Sequence, residues 1–345
     1  MAILTFVAVL LLPGGGVVAQ TFPGRDWQNA DPADAGWSKS RLEAAREFAQ
    51  KIDSTGVMIV QDGRVLAAWG NVAQKVRVNS IRKSVLSGLY GIAVTDGRID
   101  LEKTMQELGI DDKPPALTDG EKQATVRDLL MARSGVYHEA AAENDHMKQV
   151  RPERGSHRHG TFWYYNNWDF NVLGTIYRQR TSEDIFGAVE ARIARPLDMQ
   201  DFSAADGRYV YVPASMHPAY HMHFTTRDLA RFGWLYLNNG RWGDRQVVPE
   251  AWVRESTKPL SDSPGGPSYG YLWWAYKKDV VLGVRVPSTG IVAARGSNGQ
   301  YLFIVRDRHL VIAHLHTKGT RDQDVGQLLE RIMMAAPARY RALPK

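Results

Sequence analysis

The chain has 345 residues and no cysteine, and is 44% hydrophobic and 23% charged, which excludes disordered, collagenous and disulfide-stapled proteins and leaves an ordinary globular one. A chain of this length buries about three-quarters of the surface its unfolded form exposes, so no metal or covalent staple is required for stability. Its 43 Lys and Arg against 37 Asp and Glu leave a net charge of +6 that is dispersed along the chain, without the basic stripe and interleaved aromatics that nucleic acid would require.

In chain order, the apolar run from Met1 to Leu12 ends at Pro13 and a glycine run and leads to Val17-Val18-Ala19, a small-residue pattern suited to signal-peptidase cleavage. Residues 1–19 are therefore expected to be a signal peptide, too short for a stable membrane span, of a periplasmic or secreted protein. Ser40 to Glu43 reads as a capping box opening a helix to Lys51. Gly56 to Val60, a turn at Asp62-Gly63, and Val65 to Trp69 predict a β-hairpin. From Ser80 the apolar spacing through Val85, Leu89 and Ile92 is helical and closes at Asp96-Gly97.

The middle of the chain predicts helices and long loops. Capping boxes at Thr125 to Asp128 and Thr225 to Asp228 open two helices, and Asn171 starts another. The C-terminal part turns to strands at Val280 to Val286, Gly290 to Ala294, Tyr301 to Arg306 and Leu310 to His316, followed by a helix over Asp324 to Ala335. Strands at both ends with helices between predict an α/β (α+β) fold: an antiparallel sheet flanked by helices, built from residues 26–105 and 256–345, with a mostly helical insert at 106–255. A cleft between the two is the expected place for a site.

A serine hydroxyl needs a neighbour to take its proton, and a lysine three residues later on a helix lies one turn away on the same face. Ser80-Ile81-Arg82-Lys83 is the only Ser-x-x-Lys in the chain, and Ser80 stands where a loop enters an apolar helix, so that first-turn N–H groups can face a bound carbonyl. The tetrapeptide taken alone also reads as an N-cap serine with a solvated lysine. Tyr165 and Asn167 in the run Trp163 to Trp168 add a phenol able to relay a proton. Arg295 to Gln300 precedes a strand, and its glycines allow close backbone approach to a ligand.

Taken together these segments resemble the serine β-lactamase and penicillin-binding-protein superfamily, and most closely its class C-like branch of family VIII carboxylesterases and 6-aminohexanoate-dimer hydrolases. The resemblance runs from about Thr55 to Thr317 on Ser80 to Lys83 with GLYGIAVTDGRIDL, on ATVRDLLMARSGV, YNNWDFNVLG, RDLARFGWLYLNNGRW, YGYLWW and GSNGQ. It implies a β-lactamase/transpeptidase-like fold, Ser80 as acylated nucleophile, Lys83 as its proton partner and Tyr165 as acid/base. It further implies backbone N–H groups of Ser80 and Ser297 as the oxyanion hole, with Asn167 and Gly296 at the substrate. Trp168 and Trp273, from the cluster with Trp163 and Trp274, are expected to line an aromatic pocket.

One departure stands out: where penicillin-recognising relatives carry Lys-Thr-Gly or His-x-Gly, this chain has Ala294-Arg295-Gly296. Strand alternation from Ala294 lets Arg295 point away from the cleft, which would disfavour antibiotic hydrolysis. The pairs His157/His159, His221/His223 and His314/His316 lack an H-E-x-x-H or Asp-rich companion, so no metal and no cofactor is expected. The expected activity is hydrolysis of a small-molecule ester or amide through an acyl-enzyme on Ser80. The alternatives are a β-lactamase or D-alanyl-D-alanine carboxypeptidase-like enzyme and a non-catalytic binding or sensor protein on the same scaffold. The sequence leaves the oligomeric state open.

Overall fold

The computed structural model describes residues 21–277, 279–288 and 290–343; the expected signal peptide at 1–19 lies outside them. The hairpin forms as its sequence predicts: β1 (Gly56–Gln61) and β2 (Arg64–Gly70) are joined through Asp62 and Gly63, both with positive φ, the two-residue turn whose twist matches paired strands. β3 (Val76–Arg77) leads into α2 (Ile81–Thr95), α1 being Lys39–Lys51. The α1 cap is Ser38, whose hydroxyl accepts from the Arg41 amide, two residues before the expected Ser40.

In the middle, α3 (Val126–Leu130) has the reciprocal Thr125/Asp128 capping box, α4 spans Asp145–Gln149 and α5 spans Asn167–Thr181. The start of α5 lies four residues before the expected Asn171, because the Asn166 side chain accepts from the Trp168 amide and caps the helix there. Strands β4 (Gly207–Val212) and β5 (Ser215–Phe224) pair with β3 in a small sheet of order β3-β5-β4. Helix α6 (Thr226–Leu237) is capped by Thr225, but Asp228 does not complete the box: its carboxylate accepts the amides of Gln200, Asp201 and Phe202.

The main sheet adds β6 (Ser268–Tyr269), β7 (Trp274–Tyr276), β8 (Ile291–Gly296), β9 (Gln300–Val305) and β10 (Leu310–Leu315), all neighbours antiparallel, in the order β2-β1-β10-β9-β8-β7-β6. The expected strand over 280–286 is instead a two-residue hairpin, broken by Leu282 and Gly283 at positive φ. The last helix, α7, is Asp322–Ala335.

Alternation along the strands serves two cores. Met58, Val60, Leu302, Ile304, Val311 and Ala313 face α2 and α6, whereas Val57, Ile59, Phe303, Val305 and Ile312 face α1 and α7. Burial on both faces is why these strands read as nearly continuous apolar runs. Helix α6, within the range expected for the insert, lies directly on the sheet: a Cβ at its Gly233 would stand 2.5 Å from Val311 and 2.7 Å from Leu302. Among the described residues no helix is long and apolar enough to cross a membrane.

Candidate active site

The site forms where the N-terminus of α2 meets the end of β8. A Cβ on Gly296 would stand 2.3 Å from the Val78 carbonyl and 3.2 Å from the Ser80 amide nitrogen, so only glycine lets the strand approach this closely. Asn79, at φ 49, turns the chain into the helix, and its side-chain amide donates to the Ser297 carbonyl at 2.8 Å. The turn before Ser80 and the loop after β8 are thereby tied together. Ser80 makes no side-chain cap bond, and Lys83 is only 1% exposed, so the capping serine with a solvated lysine does not describe this pair.

Lys83 Nζ lies 3.0 Å from Ser80 Oγ, 2.8 Å from the Tyr165 hydroxyl and 2.8 Å from Asn167 Oδ1. It also sits 4.2 Å above the Tyr165 ring and 4.3 Å above that of Phe170. Among the described residues no carboxylate pairs with it; burial, and then the charge of neighbouring Arg82, hold its pKa well below the ordinary lysine value. Burial raises the Tyr165 phenol, opposed by its hydrogen bond with Ser80 and by the charges of Arg82 and Arg295.

Local structure fixes the phenol and the amide. Asn166 Nδ2 donates to the Val136 carbonyl and to Asp169, and Ser134 donates to the same carboxyl, whose pKa burial raises well above the usual range. This buried cluster sets the start of α5. The Asn167 amide is occupied on both ends, with Oδ1 on Lys83 and Nδ2 donating to the Ala142 carbonyl at 2.6 Å. Asn167 therefore holds the lysine as well as lining the cleft.

A cleft of about 460 Å³ opens over these groups, bounded by Arg77, Arg82 and His221, by Ala142, Glu143, Asn144 and Met147, and by Trp274, Arg295 and Ser297. Trp168 and Trp273, expected at this pocket, do not reach it. Trp168 is one residue, about 100° of helix rotation, beyond Asn167; it is fully buried and donates to Asp112 at 2.7 Å. Trp273 is fully buried against Tyr236, with ring centroids 4.4 Å apart, while Trp274, the next residue, faces the cleft and stacks on Tyr165 at 5.3 Å.

Arg295 also departs from the expectation that it points away. Its long side chain returns to the cleft, pairs with Asp322 at 3.0 Å and lies 4.8 Å above the Trp274 ring. Gln300 stays behind the site and braces β9 to β10 through the His316 backbone. Among the histidine pairs, His314 contacts Ser54 and the Gly299 carbonyl, His316 the Ile52 carbonyl, His159 the Asp128 carboxylate and His223 the Asp206 carbonyl. Among the described residues no three His, Asp or Glu gather as a metal would need.

Arg82 and Arg77 are among the cleft residues that motif reading passes over, with Asn79, Glu143, Asn144 and Asp322. The available signal is a second charge, Arg82, directly beside Lys83 in the first turn that follows the serine. With the geometry established, the family model "Beta-lactamase" matches residues 40–336. The chain belongs to the beta-lactamase family.

Among solved structures, the putative 6-aminohexanoate-dimer hydrolase from Bacillus anthracis is similar over 90% of this chain and 86% of its own, with 19% identity and a TM-score of 0.64. The beta-lactamase/D-alanine carboxypeptidase from Pseudomonas syringae is similar over 86% of this chain and 99% of its own, with 19% identity and a TM-score of 0.64. At these identities the likeness is one of fold. No curated protein matches the sequence. The superfamily resemblance and the α/β fold with its antiparallel sheet are borne out.

Proposed function

We propose that this beta-lactamase-family chain is a serine hydrolase that cleaves an ester or amide of a small molecule through an acyl-enzyme on Ser80. The observation that carries the reading is the buried Lys83 amine within 3.0 Å of both the Ser80 and Tyr165 oxygens, with no carboxylate partner among the described residues. A neutral amine has two N–H bonds and one lone pair. With the N–H bonds on Asn167 and Tyr165, the lone pair faces the Ser80 hydroxyl, the orientation a base requires.

In this mechanism Ser80 Oγ adds to the substrate carbonyl as its proton passes to Lys83. The oxyanion is assigned to the Ser80 and Ser297 amides, a reading supported by the close approach of Gly296 to the Ser80 amide. Collapse breaks the bond to the leaving alcohol or amine, which takes its proton from the Tyr165/Lys83 pair, treated as one coupled unit. Water then adds to the acyl-serine, giving up its proton to that pair, and the carboxylic acid departs as Ser80 recovers its hydrogen.

The Arg295 guanidinium at the cleft supports a second reading, a penicillin-binding or β-lactamase activity. Intact mass after fluorophosphonate treatment tests the main proposal: a single adduct is expected on the wild type and none on Ser80→Ala, and an equal adduct on both refutes it. Turnover of p-nitrophenyl butyrate against nitrocefin separates the two readings, with the ester favoured. Failure of both substrates together with failure of labelling would instead favour a binding role for the scaffold.

A further inference from the structure

The cleft has two cationic walls of different character. At the end of β8, Arg295 is neutralised by Asp322 at 3.0 Å. On the opposite flank Arg82 is 2% exposed and lies over the Tyr220 ring at 5.1 Å; it donates from Nη1 to the Asn79 carbonyl, while Nε and Nη2 have no hydrogen-bond partner among the described residues. The one side-chain hydrogen bond of Arg77 among the described residues runs from Nε to the Asn79 side-chain oxygen. Neither arginine forms an ion pair among the described residues, and the groups acting on Arg82 are the phenols of Tyr220, Tyr165 and Tyr269 and the cation Arg77. Asp206, just before β4 on this ribbon, is committed to Lys75 at 2.8 Å.

His221 reports the same field. It lines the cleft with a buried Nδ1 that has no hydrogen-bond partner among the described residues, and burial together with Arg82, Arg77 and Arg208 pushes its pKa down to about 3. A neutral imidazole there retains an N–H to donate. A buried guanidinium without a counter-charge is costly, and an incoming anion relieves that cost in a low-dielectric setting where charge attraction is strong.

We infer that the Arg77/Arg82/His221 wall is an anion subsite, and that the substrate of the serine centre is an ester or amide bearing a carboxylate that lodges there. Arg77 is the exposed contact, and Arg82 supplies a fixed charge beneath it. The second half of the inference rests on the hydrolase reading; the subsite itself does not. It also differs from an anion site at Arg295, whose charge is already matched.

Two measurements decide the matter. The first compares kcat/KM for p-nitrophenyl hydrogen glutarate and neutral p-nitrophenyl pentanoate. The wild type is expected to prefer the anionic ester by about tenfold or more, and Arg77→Gln to erase most of that preference through KM. A wild-type preference for the neutral ester, or an equal loss on both esters in Arg77→Gln, overturns the substrate assignment.

The second follows thermal melting of Ser80→Ala with glutarate against glutaramide at matched ionic strength. Stabilisation by glutarate alone, lost when Arg77→Gln is added, supports the subsite, and its absence refutes it. Should neither ester turn over and Ser80 take no fluorophosphonate, the hydrolase reading fails, while the melting comparison still decides the subsite. Arg77 is the position to vary because it is exposed, whereas the Arg82 charge also acts on Lys83.

Discussion

Arg82 follows Ile81 into the first turn of α2 and adds its charge to a helix end that already disfavours a protonated Lys83. The sign of its effect is fixed. Burial first, and Arg82 second, lower the lysine pKa below the ordinary 10.5, so activity requiring a neutral amine rises as pH climbs through the lowered value. Removing the Arg82 charge moves that acid limb to higher pH. With neutral p-nitrophenyl butyrate as substrate, Arg82→Gln is expected to shift the limb of kcat/KM upward and to lower the rate at neutral pH by about tenfold. A limb that stays in place, in a variant whose circular dichroism is unchanged, would show that Arg82 does not tune the lysine. At this scale Ser80, Lys83 and Tyr165 are legible because their chemistry depends on residue type and spacing. Trp168 and Trp273 are not: one residue of rotation or pleat decides which indole meets the cleft, and Trp274 takes the place.

Elements position these groups through contacts between backbones, and Gly296 makes such a contact beside Ser80. A methyl there would meet the Val78 carbonyl at 2.3 Å and Gln300 Cβ at 2.9 Å, neither of which is the free end of a flexible side chain. The end of β8 would have to withdraw from α2, carrying Ser297 away from Ser80. Gly296→Ala is expected to reduce the acylation rate by about a hundredfold, the scale of a lost oxyanion donor, with stability falling much less. Stopped-flow labelling by a fluorophosphonate measures the first and thermal melting the second; an unchanged acylation rate would place the oxyanion hole elsewhere. The same dependence on local backbone explains which boundaries the sequence predicts. Thr125 and Thr225 cap their helices because each hydroxyl has a free amide three residues on. Ser38 rather than Ser40 caps α1, and Asn166 moves the start of α5 to Asn167, since Ser and Asn are competent caps at several registers and packing chooses among them.

Across the whole molecule, the pairing of β1 with β10 joins the two ends of the chain in one sheet, and this was foreseeable from apolar strands at both ends with helices between. The strand order and the packing of α6 on the sheet were not, because non-local pairing is chosen by complementarity between surfaces that no local pattern records. The same topology brings the described termini together. The Thr21 carbonyl rests against Gly63, where a Cβ would stand 1.8 Å from it, and Asp62 accepts from the Leu343 amide at 2.9 Å. Residues 21 and 343 thus meet the same two-residue turn between β1 and β2. Chain direction at this point contributes little to the packing, since the sheet is held by lateral pairs and by two cores rather than by the order in which strands are threaded. A circular permutant that joins 343 to 21 through a linker of about ten Gly/Ser residues, with new ends between the exposed Gly243 and Asp244, is therefore expected to fold. Its melting temperature should fall by no more than about 5 °C, and Ser80 should take up fluorophosphonate at the parent rate. An insoluble permutant, or one that folds but loses labelling while the parent retains it, would show that chain continuity at 243–244, or free ends at 21 and 343, is needed to hold α2 against β8.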